Sequence, residues 1–355
     1  MHAPVICSVD VGHGGVKYLR ARTREAIICD VFEAIAPAAP LREATMGQAR
    51  DTVRVTLANQ GRAKIFEVGR DAHRVLGNAA LRFGRVLSPQ DYPLSDQYMA
   101  LTRAAMYYLD CPIDRDTRRK VIDLLVLGLP MSTYRKLRDA LAARMVGEHD
   151  VERGGTTYTI EVRDVKVVGQ PIGGLIDWAT QREAAGREIP LGHKVLLIDP
   201  GMGTVDAIVA EMTAEGFADV SGRVAAVEGG ASMIYEELRK AVELETGYDV
   251  PLIEIQEALL RGEPLYQRGE TYDLARYADR VGERLEEVAN TIQHKVGSLR
   301  DIHQVVLVGG PASMYLEAFR SLAHKVPVEV VEEPRFANVR GFQLIGEREM
   351  LIETA

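Results

Sequence analysis

Twice in this chain an apolar run ends in Asp and passes into glycine at every second position: Asp10-Val11-Gly12-His13-Gly14-Gly15-Val16-Lys17 and Asp199-Pro200-Gly201-Met202-Gly203-Thr204-Val205-Asp206. Any fold must seat two such strand-and-turn units about half a chain apart. Glycines let a backbone turn tightly and bring its N–H groups within reach of phosphate oxygens, with no β-carbon in the way. An Asp at the strand end suits Mg2+, usually through water, because Mg2+ keeps several of its waters. Lys17, five residues after Gly12, is placed to set an ammonium on β/γ phosphates. Each loop alone reads equally as a hairpin turn, where Asp and Gly are favoured. Two of them, each behind a strand, favour phosphate binding. The P-loop pattern Gly-x-x-x-x-Gly-Lys-Ser/Thr is not met, and the third glycine of a dinucleotide fingerprint is missing at its expected place.

The other apolar runs set the class. Residues 5–11, 123–127, 194–199 and 304–308 read as buried strands ended by glycine turns, the last at Gly309-Gly310-Pro311. The run at 194–199 resumes at 204–210, which is hairpin grammar. Ser132 or Thr133 is placed to cap a helix through Arg144, another helix runs from about Pro171, and residues 231–242 are helical. Leu274, Tyr277, Val281, Leu285, Val288, Ile292 and Val296 fall on one helical stripe, read as a core face. Residues 150–158 read as a surface turn between strands, and 181–192 as the place for a domain boundary. Strands alternating with helices predict an α/β protein with mostly buried sheets.

Length and charge narrow the function. At about 150 residues per domain, 355 residues predict two to three domains. The balance of 43 Lys+Arg against 51 Asp+Glu gives −8, which excludes a global positive field for holding a phosphate backbone, so direct nucleic-acid binding is not expected. Cys7, Cys29 and Cys111 make neither a CxxC knuckle nor a disulfide framework, which fits a reducing cytoplasm. The opening residues lack a basic leader, and no stretch approaches the ~20 apolar residues of a membrane span, so neither export nor insertion is expected.

The order of these motifs resembles the actin-like ATPases, the superfamily shared by actin, sugar kinases and heat-shock chaperone ATPases, and most closely the bacterial plasmid-segregation branch called ParM or StbA. Asp10 to Lys17 matches the family's first phosphate motif and Asp199 to Asp206 its second; Val305-Val306-Leu307-Val308-Gly309-Gly310-Pro311-Ala312 looks like its adenosine motif. Val168-Gly169-Gln170-Pro171-Ile172-Gly173-Gly174 resembles the first connecting helix with its entry, and Ala337-Asn338-Val339-Arg340-Gly341-Phe342 the second; Val126-Leu127-Gly128-Leu129-Pro130 recurs in this branch. Ile28-Cys29-Asp30-Val31-Phe32 is similar to the actin-like protein D of plasmid PRTRC clusters. His13 and Pro200 depart from the common pattern, and Pro200 removes one backbone N–H from the second loop.

The resemblance implies an actin-like ATPase fold: two related α/β domains, expected at 1–184 with 336–355 returning and at 185–335, holding ATP or ADP and Mg2+ in the cleft between them. It implies that Asp10 and Asp199 order the Mg2+ hydration shell, that Lys17 neutralises β/γ charge, and that Gln170 orients the attacking water. Nucleotide contacts are expected from Gly12, His13, Gly14, Gly15 and Lys17, from Gly201, Met202, Gly203 and Thr204, and from Gly309, Gly310 and Pro311. Gly229 and Gly230 precede a helix whose N-terminal N–H groups suit phosphate. Gln170 also reads as a cap at a helix entry, and His13 as a structural histidine. In this branch ATP hydrolysis is coupled to head-to-tail filaments, and such contacts do not close on themselves. DNA is then held by a DNA-binding adaptor at a centromere-like site. The rival readings are a non-polymerising nucleotide switch and a small-molecule kinase of the same fold, for which Asp164 and Asp177 are the scattered candidate bases.

Overall fold

Each glycine loop is the tip of a β-hairpin that opens its own sheet. The computed structural model describes residues 3–39, 50–59, 62–76 and 92–353. They fall into two compact units, one reaching to Ala185 and resuming at Phe336, the other spanning Gly186–Arg335.

The first unit begins with an antiparallel meander, β1 (Ile6–Val11), β2 (Val16–Arg22) and β3 (Ile27–Phe32). The hairpin β4 (Thr52–Asn59) and β5 (Arg62–Gly69) is followed by a single turn, α1 (His73–Leu76). Then come α2 (Asp96–Tyr108), β6 (Ile113–Asp114), β7 (Arg119–Leu129), α3 (Met131–Met145), β8 (Gly147–Arg153), β9 (Thr156–Gly169) and α4 (Gln170–Ala184). The sheet runs β3-β2-β1-β7-β9-β8-β4-β5, with β6 on β7. β1, β7 and β9 are parallel neighbours, buried along Val9, Leu125, Leu127 and Ile160 as strands covered on both faces must be. α2 is held at its start by the Ser95 hydroxyl, which accepts the Tyr98 N–H, and it buries Met99, Leu101, Ala105 and Met106.

The second unit repeats that opening. β10 (Lys194–Pro200), β11 (Thr204–Thr213) and β12 (Gly216–Glu228) form the meander, followed by α5 (Ala231–Thr246), α6 (Leu252–Arg261), a small hairpin of β13 (Leu265–Gln267) and β14 (Glu270–Tyr272), and α7 (Ala278–Val296). β15 (Gln304–Leu307), α8 (Ala312–Ala323) and β16 (Val328–Val330) complete it. Its sheet order, β12-β11-β10-β15-β16, is that of β3-β2-β1-β7-β9 in the first unit, with the same parallel pairings at β10, β15 and β16. The helical stripe expected along α7 is buried from Val281 to Val296, while Leu274 and Tyr277 form a 3-10 turn leading into it.

Two local readings need correction. α3 begins at Met131 with Pro130 at its N-cap, so neither Ser132 nor Thr133 caps it; the buried Thr133 hydroxyl instead donates to the Pro130 carbonyl at 3.2 Å. The polar stretch 150–158 is mostly strand, and only Gly154 and Gly155 turn, at φ 56° and 73°. Two positive φ angles in succession fit the two-residue hairpin turn that matches strand twist, so the exposed faces of β8 and β9 carry the polarity that was read as a loop.

The C-terminal helix, Ala337–Glu353, packs on α4, β1 and β7 of the first unit. A Cβ on Gly341 would land on the Gly173 carbonyl, and one on Gly173 would meet the Asn338 carbonyl at 2.6 Å, so glycines permit this crossing. Arg340 then forks onto buried Asp177, its Nε on Oδ1 and an NH2 on Oδ2, both at 2.8 Å. No helix among the described residues is long and apolar enough to cross a membrane.

Candidate functional site

The first hairpin closes with the Gly12 N–H donating to the Gly15 carbonyl at 3.1 Å. A turn of that length sets Val11 opposite Val16 and Asp10 opposite Lys17. Directly opposed residues share a face of the sheet, and the Lys17 ammonium accordingly donates to Asp10 Oδ2 at 3.1 Å. β9 runs parallel to β7 through Gly169, which becomes the N-cap of α4, so Gln170 opens the helix beside the loop. Its Nε2 donates to Asp10 Oδ1 at 2.7 Å, so the side chain spends its amide on the carboxylate rather than capping the helix. Asp10, 2% exposed, thus has both oxygens bonded, by groups 7 and 160 residues away. A Cβ on Gly12 would sit 3.1 Å from the Lys17 ammonium, and one on Gly15 the same distance from Val31.

His13 stacks on Tyr92, ring centroids 4.3 Å apart and planes 23° from parallel. Its buried Nε2 has no partner. Burial and then the Lys17 charge push its pKa below the ordinary value, so the ring is neutral near pH 7. Tyr92 was not a sequence candidate. Its ring also meets Tyr98 edge-on at 5.4 Å, and burial with the Asp10 charge drives its phenol well above the usual range.

The second hairpin uses the same turn length. Gly201 N–H donates to the Thr204 carbonyl at 2.8 Å, setting Pro200 opposite Val205 and Asp199 opposite Asp206. Where the first hairpin pairs a carboxylate with an ammonium, the second pairs two carboxylates. Burial, and then Asp199, raise Asp206 from 3.8 to about 7, and its Oδ1 is buried without a partner. Asp206 ends the second motif in sequence without an expected site role; counting residues across the hairpin places it opposite Asp199. Gly309, at φ 83°, brings the loop after β15 against this pair: a Cβ there would strike Asp199 Oδ1 and come within 2.6 Å of the Pro200 carbonyl. Gly310 is exposed and Pro311 is the N-cap of α8.

The start of α5 is tied to the same loop. Gly229 and Gly230 N–H groups donate to the Gly203 carbonyl at 3.3 and 3.2 Å, Ala231 to Gly201 at 3.0 Å, and Ser232 to Met202 at 2.8 Å. The N–H groups that the glycine pair offers are therefore engaged by the loop carbonyls in this conformation. Met202 packs on the unit's core, while Gly203 is exposed and Thr204 half-buried.

Among the described residues no group of three or more His, Cys, Asp or Glu gathers as a ligand cage. Carboxylates in ones and twos, one with an orphaned buried oxygen, fit an ion that keeps most of its waters, as Mg2+ does. Cys7 and Cys111 are buried and Cys29 half-buried, all as free thiols.

Comparison with known proteins gives the same assignment for both units. Residues 8–173 match the family described as actin like proteins N terminal domain, and residues 197–321 match archaeal actin homologue MreB-like, C-terminal. No curated protein matches the sequence significantly. Among solved structures, the 15-stranded ParM filament from Clostridium botulinum is similar at TM-score 0.72 and 17% identity, over 98% of this chain and 100% of that one. Ta0583, an archaeal actin homolog in complex with ADP, is similar at TM-score 0.67 and 19% identity, over 97% and 99%. The AlfA filament bound to AMPPNP is similar at TM-score 0.63 and 13% identity, over 99% and 100%. With both of its units built on the meander, loop and parallel-strand order of that fold and matched by its families in sequence, the chain belongs to the actin-like proteins.

Proposed function

We propose that this chain binds and hydrolyses ATP with Mg2+ and assembles with its own copies into filaments that serve plasmid or other DNA segregation. The observation that carries the reading is the Asp10 carboxylate, fixed by Lys17 on one oxygen and Gln170 on the other at the foot of a glycine loop. Phosphoryl transfer to water depends mostly on positioning and charge stabilisation, so a neutral amide suffices where no strong base is needed. With its Nε2 on Asp10, Gln170 keeps its carbonyl oxygen to accept a hydrogen bond from the attacking water and fix its direction. Lys17 leaves Asp10 for the β/γ oxygens or bridges both. Asp10 and Asp199 would hold the hydrated Mg2+, which when bound neutralises phosphate charge. The N–H groups of Gly14 and Gly15, and of Met202 and Gly203, line the phosphates, those of Gly12 and Gly201 holding the two hairpins closed, while Gly309, Gly310 and Pro311 take the nucleoside end. His13, neutral and unpartnered at Nε2, belongs to the same contact set.

The kinase reading has weak support from its two candidate bases. Asp177 is engaged by Arg340, and Asp164 Oδ1 accepts the Val165 N–H at 2.8 Å. Filament-forming neighbours of this fold support self-assembly, and the net charge of −8 supports DNA being held through a DNA-binding adaptor. The test follows light scattering and phosphate release together across a protein concentration series with Mg-ATP, Mg-ADP and no nucleotide. A critical concentration with ATP, followed by decay as phosphate appears, is the expected result; steady hydrolysis with flat scattering would move the chain to the non-polymerising switches. Gln170→Ala should lose about 100-fold in turnover while still binding ATP. Affinity falling as far as turnover would remove Gln170 from its role.

A further inference from the structure

In the first unit β4 and β8 lie side by side but are joined only at Arg54 opposite Glu152. Beyond that pair a cavity of about 450 Å3 lies beside β4 residues 56–58. Met99 and Arg103, one turn apart on α2, line it together with Arg144 from the last turn of α3. Asp96 also lines it, but its carboxylate takes the Lys64 ammonium at 2.6 Å. None of these residues belongs to the glycine loops.

Arg103 is in an unfavourable place for a guanidinium with nothing to hold. Its Nε is buried and has no hydrogen-bond partner. The Arg144 charge is close enough to lower its pKa further below what burial does, with Asp150 only partly opposing. Arg144 is itself steadied by donating to the Leu94 carbonyl. An unpaired buried donor beside a like charge is costly, and the arrangement becomes favourable when an anion sits between the two cations. Two guanidinium forks suit planar, bidentate capture of phosphate or carboxylate oxygens, and the volume is that of a small-molecule site rather than of a single water.

We propose that the cavity between β4, α2 and α3 is a binding site for a small oxyanion-bearing molecule, a phosphorylated or polycarboxylate compound, held by Arg103 and Arg144 and separate from the phosphate loops. The experiment is thermal melting of the full chain, saturated with ADP to occupy the nucleotide loops, with inorganic phosphate or citrate added against sodium chloride at matched ionic strength. Wild type should melt higher with phosphate, citrate or both, and not with chloride; which anion acts identifies the phosphoryl or the carboxylate source. Arg103→Met should abolish that rise while melting at or above wild type without added anion, because it removes the unpartnered donor and the like-charge pair. Arg103→Lys, which keeps charge but loses the fork, should weaken binding about tenfold. An equal rise in wild type and Arg103→Met would assign the effect to ions elsewhere and overturn the proposal, as would no response to either anion. An Arg103→Met chain that melts well below wild type would make Arg103 a structural residue and overturn it too.

Discussion

Asp206→Asn tests the carboxylate pair of the second hairpin. Asp206 is 5% exposed, sits opposite Asp199, and titrates near 7 instead of 3.8. Between those values the folded chain holds a proton here that the unfolded chain has given up, so raising the pH through that window costs stability. A shift of about 3 units at 1.36 kcal/mol each is about 4 kcal/mol, to be read as an upper figure, with 2 kcal/mol as a working floor. The amide in the variant cannot ionise and escapes that cost. At about 2–4 °C per kcal/mol for a unit of this size, the variant should melt about 4–16 °C above wild type at pH 8. The gap should shrink toward pH 4, where the unfolded chain also begins to hold a proton on Asp206, grow through pH 7 and stay level above it. Melts by circular dichroism at half-unit intervals from pH 4 to 8.5, without nucleotide or divalent ions, measure it. A gap of the same size at both ends of the range, or a variant less stable than wild type at pH 8, would refute the reasoning.

Other expectations follow from particular contacts. Gly341→Ala should destabilise the first unit by about 1–3 kcal/mol or prevent its folding, read by urea denaturation, because its Cβ has only the Gly173 carbonyl to enter. Arg340→Met should cost about 3–5 kcal/mol in the same assay, since it strands the buried Asp177 charge; Asp177→Asn combined with it should recover much of the loss. The His13 ring should titrate below its ordinary value by proton NMR, and Lys17→Met should move the midpoint upward, since a neighbouring cation is one of the two causes of the shift. An unmoved midpoint would leave burial as its sole cause.

The parts of this molecule that were legible in sequence are those fixed by short-range chemistry. The two Asp-x-Gly-x-Gly turns announced hairpins because apolar runs flanked them, and hairpin counting alone sets Asp10 against Lys17 and Asp199 against Asp206. The α7 stripe was legible because a helix repeats its buried face. Polar strands were not: β8 and its partner look like a loop in composition, since alternation in the exposed part of a sheet leaves few apolar residues to count. Tyr92 could not be found, because nothing local says that a tyrosine before α2 will lie against His13. Gln170 came into view through resemblance to a family, but its contact with Asp10 did not, as no spacing rule links residues 160 apart. Nor does Gly229-Gly230 reveal that its N–H groups meet the Gly201–Gly203 carbonyls.

The return of the C-terminal helix has a consequence for how the chain is made. Gly128 and Gly173 leave room for Phe342, and the Gln343 amide donates to the Ile6 carbonyl, so strands from the opening of the chain are finished by a helix encoded near its far end. Gly186–Arg335, by contrast, is one uninterrupted stretch with its own sheet and core. At about 5–20 residues per second, the intervening stretch of about 150 residues takes roughly 8–30 s to translate. For that interval the first unit waits with its β1–β7 face uncovered, whereas the second needs nothing encoded after Arg335 to fold. A chain cut short before Ala337 and released should therefore resist protease in its later half and yield in its earlier one, reversing the order in which the two were synthesised.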